Sequence, residues 1–389
     1  MQNRNISLVK EIMAEFADLT GLTQARKQPS RYLWTDAFAV CNFLELFRVT
    51  EDKYFLDLAL RLVEQVHQVL GRHRKDDLRN GWISGFDEKE GKNHPTKGGL
   101  RIGKKLNERK PEEPFDDRLE WERDGQYFHY LTKWMHALDR VGRVTEDPVY
   151  NRYAVELAKA AHSAFTYTIP DGTKRMYWKM SIDLSYPLVP SMGHHDPLDG
   201  FVSYNQLQSA AEMPRSESSS ADLKDEIKDM AEICSGKNWS TSDPLGIGGL
   251  LFDVFRTARL LVNNEFDYNG GFLEDLLEDS LAGLKSFTAR NSLGMPAEYR
   301  LAFRELGLSI GLKAVGKLRD LIGENPEYFD RISRSKIKSL SGYNGLIVEI
   351  ENFWKDSNNR ESSTWIDHRD INMVMLATSL APGGFLTFG

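Results

Sequence analysis

Arg48-Val49-Thr50-Glu51-Asp52 returns as Arg143-Val144-Thr145-Glu146-Asp147, 95 positions further on. The register then continues without gaps: Ala59 matches Ala154, Leu62 matches Leu157, and His67 matches His162. Apolar residues at helical spacing lie before and after each copy, so each phrase reads as a tight turn between two helices. Thr or Asp in the phrase can cap the helix that follows by accepting a backbone N–H. The acids of the phrase therefore read as caps, not as catalysts.

The same helical period dominates the rest of the chain. Leu8, Ile12, Met13 and Phe16 share a helix face, and so do Phe38, Cys41, Phe43, Leu44 and Phe47. Further helices are predicted over 53–72, 122–142, 147–165, 201–213, 245–263, 271–289, 297–322, 335–356 and 365–379. Met176 to Tyr186 reads as a short strand or hairpin. Long connections at 73–121 and 166–200 contrast with the tight turns, and long loops of this kind are often functional. Residues 214–243, with Arg215-Ser216-Glu217-Ser218-Ser219-Ser220, read as a solvated excursion. Six helix starts follow the connections: Trp34-Thr35-Asp36, Glu122-Arg123-Asp124, Asp196-Pro197-Leu198-Asp199, Asp243-Pro244-Leu245-Gly246, Met295-Pro296-Ala297-Glu298 and Thr364-Trp365-Ile366-Asp367. Asp followed by Pro is helix-start chemistry, an oxygen that caps and a residue with no N–H to lose. Six starts predict six helical hairpins in an all-α chain, residues 1–389 forming one domain.

Composition narrows the function classes. The 389 residues are 41% hydrophobic and 28% charged, with a net charge of −7. An acidic chain is not suited to nucleic acid, since phosphate binding needs a basic face. Cys41 and Cys234 alone do not make a disulfide framework, which fits a reducing compartment. Met1 to Lys10 lacks a signal-peptide core, and no apolar run approaches the roughly 20 residues of a membrane span. A cytoplasmic protein with no membrane partner is the expectation. No cofactor and no metal are read. His194 and His195 are adjacent rather than at ligand spacing. Gly246-Ile247-Gly248-Gly249 has no preceding strand and no following Gly-Lys-Ser/Thr.

The tight-turn phrase with its following aromatic and alanine (Thr50-Glu51-Asp52-Lys53-Tyr54 to Ala59) and the aromatic helix start Trp34-Thr35-Asp36 resemble the six-hairpin, (α/α)6 toroid proteins. That superfamily includes glucoamylases, unsaturated glucuronyl hydrolases, bacterial α-mannanases and N-acylglucosamine 2-epimerases. The resemblance implies an inner ring of helices wrapped by an outer ring. It also implies a site in the funnel where the inner helices begin and the long loops gather. A saccharide or sugar-derived small molecule is the ligand it implies.

The helix starts bring polar and aromatic residues to that end. Most glycoside hydrolases use two carboxylic groups flanking the bond. Asp124 is the leading candidate, predicted on one helix face with Tyr127; Asp36, Asp199 or Asp370 would stand opposite. Within the resemblance, Asp116-Asp117 echoes a mannanase-like Asp pair. Trp34, Glu122, Tyr127, His194, His195, Arg300 and Trp365 are candidates for holding substrate. Arg300 and Arg304, with Arg101, Lys104 and Lys105, would suit an acidic sugar. A second reading is a sugar isomerase or epimerase with a His acid–base pair, His368 with His194 or His195. A third is a non-catalytic toroid that binds a glycan or protein. The matched His67 and His162 read as structural.

Overall fold

The computed structural model describes residues 2–24, 29–211, 222–263 and 271–387. The chain divides into two compact units, Ala17–Ser235 and Met1–Phe16 with Gly236–Phe388. Helix α1 spans Gln2–Leu19.

In the Ala17–Ser235 unit, α2 (Leu33–Thr50) and α3 (Lys53–Leu70) form the first hairpin. The connection after α3 carries two short helices, α4 (Glu88–Asn93) and α5 (Asp117–Glu122). The second hairpin is α6 (Phe128–Thr145) with α7 (Pro148–Phe165), and the third is α8 (Asp196–Ala211) with α9 (Lys224–Cys234). Each first helix packs on its own partner, and α6 packs on both α2 and α8. Helix α9 lies within the stretch read from sequence as an excursion, because Met230, Ile233 and Cys234 bury one apolar face. Arg215–Ser220 lie outside the described residues.

The repeated phrase folds the same way twice. Glu51 and Glu146 both take left-handed backbone, with φ of 58° and 56°. Helices commonly end in that conformation. The Thr50 hydroxyl donates to the Leu46 carbonyl at 2.7 Å, and Thr145 to Val141 at 2.8 Å. Asp52 accepts the Tyr54 N–H at 3.0 Å, and Asp147 accepts the Val149 N–H at 2.9 Å. The aspartates are caps in both copies, as the pattern predicts.

Five short strands stitch the long connections together: β1 (Gln126–Tyr127), β2 (Thr166–Thr168), β3 (Lys174–Met176), β4 (Lys179–Met180) and β5 (Pro187–Val189). β2 and β3 form an antiparallel ladder, and β4 pairs with both β1 and β5. This pairing corrects the helix predicted over 122–142, which begins only at Phe128. Gly125 has φ of +145°, a conformation that favours glycine, and Gln126 and Tyr127 bond to Met180 and Lys179 instead of continuing a helix. The Gln126 amide accepts from Leu100 N at 2.8 Å and donates to Gly98 O at 3.0 Å and Ile182 O at 2.7 Å. One buried side chain thus fixes both long connections beside the start of α6.

The other unit contains α10 (Pro244–Val262) with α11 (Phe272–Ala289), α12 (Ala302–Glu324) with α13 (Arg331–Ser341), then α14 (Gly345–Lys355), α15 (Ser363–Ile366), α16 (Arg369–Leu380) and α17 (Gly383–Leu386). Helix α12 packs on α10 and α16. A Cβ on Gly248 would stand 2.1 Å from the Gly307 carbonyl oxygen, so the Gly246–Gly249 run lets two helices approach closely. The helix predicted over 335–356 is two helices, broken around Gly342–Asn344. The one predicted from 297 opens with a 3-10 turn, Ala297–Tyr299. Among the described residues, no helix is long and apolar enough to cross a membrane.

Candidate functional site

In the Ala17–Ser235 unit, the starts of α2 and α6 carry an aromatic cluster. Trp34 opens α2, and Tyr127, His129 and Tyr130 open α6. Trp178 arrives on the turn into β4. The His129 ring lies 4.9 Å from Tyr130, 5.3 Å from Tyr127, 6.0 Å from Trp34 and 6.4 Å from Trp178, nearly parallel to the last. Tyr32 extends the cluster through a 2.7 Å hydroxyl contact with Tyr130. Burial pushes the Tyr32 phenol up to about 12, opposed by that hydrogen bond, and burial likewise raises Tyr127. Both therefore stay neutral at ordinary pH. Trp34 and Tyr127 are buried, Trp178 and Tyr130 are half-buried, and Trp121, 5.4 Å from Trp178, is 52% exposed. The surface grades from a packed base to an open aromatic lip.

Charged groups from α6 and α8 mesh beside this cluster. His129 and Lys133 lie one turn apart on α6, and Asp196 and Asp199 one turn apart on α8. Asp196 Oδ1 stands 3.5 Å from His129 Nδ1, and Asp199 Oδ2 is 2.6 Å from Lys133 Nζ and also accepts from the Thr132 hydroxyl. Both carboxylates are buried. A Cβ on Gly193 would stand 2.4 Å from the Asp196 carboxyl, so a side chain there would displace that acid.

The remaining acids of this unit take supporting positions. Asp124 is fully buried and lies in the loop before β1, not on a helix with Tyr127. Its carboxylate accepts from Arg101 at 2.8 Å, Arg74 at 3.2 Å and the Gly103 N–H at 2.9 Å. That environment makes it an anchor for the 71–127 connection. Asp36 pairs with buried Arg31 at 3.3 Å and accepts the Tyr32 N–H at 3.0 Å. Asp116 caps α5 through the Arg118 and Leu119 N–H groups, and Asp117 is exposed. Glu122 is exposed near the lip. Its charge favours protonation of Lys104, whose pKa burial lowers, and the Lys104 ammonium lies 5.7 Å from the Tyr32 ring. Buried Lys179 donates to Glu120 at 2.8 Å and sits 5.4 Å from the Tyr127 ring. His194 is exposed and His195 half-buried in the turn before α8, their rings 4.6 Å apart.

The other unit uses its predicted site residues differently. Arg300 lies before α12, so it does not share that helix's face with Arg304. It is 3% exposed, forks onto Glu305 at 2.9 and 2.7 Å, and lies 3.6 Å over the Phe353 ring. The Trp354 indole N–H donates to the same Glu305 at 2.8 Å, and Trp365 stacks on Trp354 at 5.7 Å. Arg300 and Trp365 are parts of a packed cluster. Arg304 pairs with Asp243 at 2.7 Å. His368 is exposed and meets the Phe303 ring at 5.5 Å, and Asp370 is exposed in the first turn of α16. Among the described residues, no three His, Cys, Asp or Glu side chains gather as a metal site.

The sequence reading passed over His129, Tyr130, Lys133 and Trp178. The signal lay in the aromatic run Tyr127-Phe128-His129-Tyr130, hidden by placing the helix start six residues too early. Trp178 needed the β1–β4 pairing, which joins segments some 50 residues apart.

No family model matches the chain, and no curated protein does. Solved structures of one class match it along its length, the helical-hairpin (α/α)6 enzymes. The GH76A α-1,6-mannanase of Salegentibacter sp. HEL1_6 aligns with a TM-score of 0.55 over 97% of this chain and 99% of its own, at 10% identity. An inactive variant of that mannanase, two of its aspartates replaced by alanine, is in complex with α-1,6-mannotetrose; it aligns with the same TM-score at 11% identity over 97% and 99%. The GH76 α-mannanase of Bacteroides thetaiotaomicron aligns with a TM-score of 0.54 at 11% identity, over 97% of this chain and 96% of its own. At such identities the likeness shows the fold. It is the six-hairpin (α/α)6 architecture that the resemblance implies.

Proposed function

We propose that this protein is a carbohydrate-active enzyme, a glycoside hydrolase that works at the starts of α2, α6 and α8. The observation that carries the reading is the graded aromatic surface beside the meshed His129–Asp196 and Lys133–Asp199 pairs. Flat rings suit the apolar faces of sugars, and an exposed aromatic lip needs a partner that covers it. Asp199, held by Lys133 and the Thr132 hydroxyl one helical turn beyond Asp196, supplies negative charge for an oxocarbenium-like transition state. The fold agrees, since two structural counterparts are α-mannanases and one is in complex with α-1,6-mannotetrose.

The test is incubation with α-1,6-mannotetraose and a panel of nitrophenyl glycosides in ¹⁸O-labelled water. The expected result is shortened saccharide with ¹⁸O on each new reducing end. A deuterium-labelled carbon in an unshortened sugar, from a parallel run in D₂O, would instead identify an isomerase. Asp199→Asn is expected to lower turnover at least about 100-fold, the range for loss of a group that acts in the transition state.

A further inference from the structure

Resting on the saccharide-hydrolysing reading above, we propose that His129 is the proton-transferring catalytic residue of this site and that Asp196 is its positioning residue. The imidazole is 27% exposed amid Trp34, Tyr127, Tyr130 and Trp178. Its Nδ1 atom is buried and faces Asp196, so Nε2 is the nitrogen open to a bound sugar. The Asp196 carboxylate has a second oxygen, Oδ2, that is buried with no hydrogen-bond partner. Buried carboxylate oxygens are nearly always satisfied, and an exception needs a reason. His129 Nδ1 is likewise buried with no hydrogen-bond partner, 3.5 Å from Asp196 Oδ1, so a small turn of the carboxylate would satisfy both groups. Catalytic hydrogen bonds are often long without substrate and tighten when it binds.

The other groups around the ring have their own tasks. Asp36 holds Arg31, Asp124 holds Arg74 and Arg101, and Lys179 holds Glu120. Asp199, from α8, faces Lys133, the charged residue one turn beyond His129 on α6. His129 brings to the aromatic surface a ring nitrogen that can both give and take a proton. In the proposed step, the imidazolium gives its Nε2 proton to the glycosidic oxygen. The C1–O bond breaks with its electron pair on that oxygen. A water oxygen then bonds to C1, the proton it sheds enters the solvent, and the imidazole takes one up again. Asp196 keeps the ring turned so that Nε2 faces the sugar.

The test uses the full chain and the best-cleaved member of the panel above. His129→Gln is expected to lower kcat at least about 100-fold with KM within about twofold, and added imidazole should restore turnover to His129→Gly. Asp196→Asn should lower kcat about tenfold at unchanged KM, with Asp196→Glu recovering part of the loss. Wild-type kcat in His129→Gln would overturn this assignment and leave the hydrolase reading standing. Failure of the wild-type protein to cleave any member of the panel would overturn both.

Discussion

The two copies of the repeated hairpin are alike at one end and different at the other. At the tight turns, Thr50 and Thr145 close the same bond to the fourth residue back, and Asp52 and Asp147 cap the next helix in the same way. At the opposite ends, the first copy opens with Asp36 locked to buried Arg31, while the second opens with His129 half-exposed beside Asp196. A turn is fixed by its own few residues and survives repetition intact. A helix start is fixed by what the long connections bring to it, and there the two copies have separate tasks. The first supplies a rigid wall, the second a reactive side chain.

Paired substitutions sharpen or break this contrast. Asp36→Ala strands the Arg31 guanidinium, whose side chain is 0% exposed, and is expected to cost about 3–5 kcal/mol in a denaturant titration. His129→Gln should change stability by less than about 1 kcal/mol in the same assay, since its ring is partly exposed. Equal losses from both would erase the distinction between wall and reactive group.

The matched histidines differ in how they meet acid. His67 accepts the Trp134 indole N–H at 3.2 Å, and burial pushes its pKa down to about 3. Its folded-state value lies below the unfolded one, so its contribution is present above about pH 6.5 and is lost as pH falls toward 3. By pH 4.5 the loss reaches about 2.7 kcal/mol, two pH units at roughly 1.36 kcal/mol each. His67→Gln should remove that part of the acid sensitivity. His162→Gln should remove less: burial lowers His162 too, but Asp229 at 3.2 Å opposes the shift. At the turns the copies should respond alike, with Asp52→Ala and Asp147→Ala each costing about 1 kcal/mol. The smallest effect is expected from Glu51→Gly and Glu146→Gly, a gain of about half a kcal/mol from relieving left-handed backbone at a residue with a Cβ. Thermal melts of the paired variants would show whether the turns are equivalent.

The hairpins and their caps were legible because they depend on local chemistry. Apolar spacing marks a helix, and Thr-Glu-Asp marks the turn that joins it to the next. The candidate site was legible only in outline. Trp34, Tyr127 and Asp199 stand at the aromatic surface or in the meshed pairs, as their position at helix starts suggests. Asp124 was misplaced because Gly125 and the β1–β4 pairing end the regularity that a periodic reading extends through it. Arg300 and Trp365 have the residue types of a sugar site, yet they stack in the interior with Glu305, Phe353 and Trp354. Residue type alone does not separate an aromatic that packs from one that waits for a ligand. His129 and Trp178 meet only through tertiary pairing, which no single stretch of sequence encodes.

The most direct measurement is a crystal structure of His129→Gln with α-1,6-mannotetraose. Sugar rings lying against Trp178 and Tyr130, with a glycosidic oxygen within about 3.5 Å of the residue 129 side chain, are the expected result. Ordered saccharide elsewhere on the protein, or none at saturating concentration, would contradict the assignment of the second hairpin's start as the reactive end.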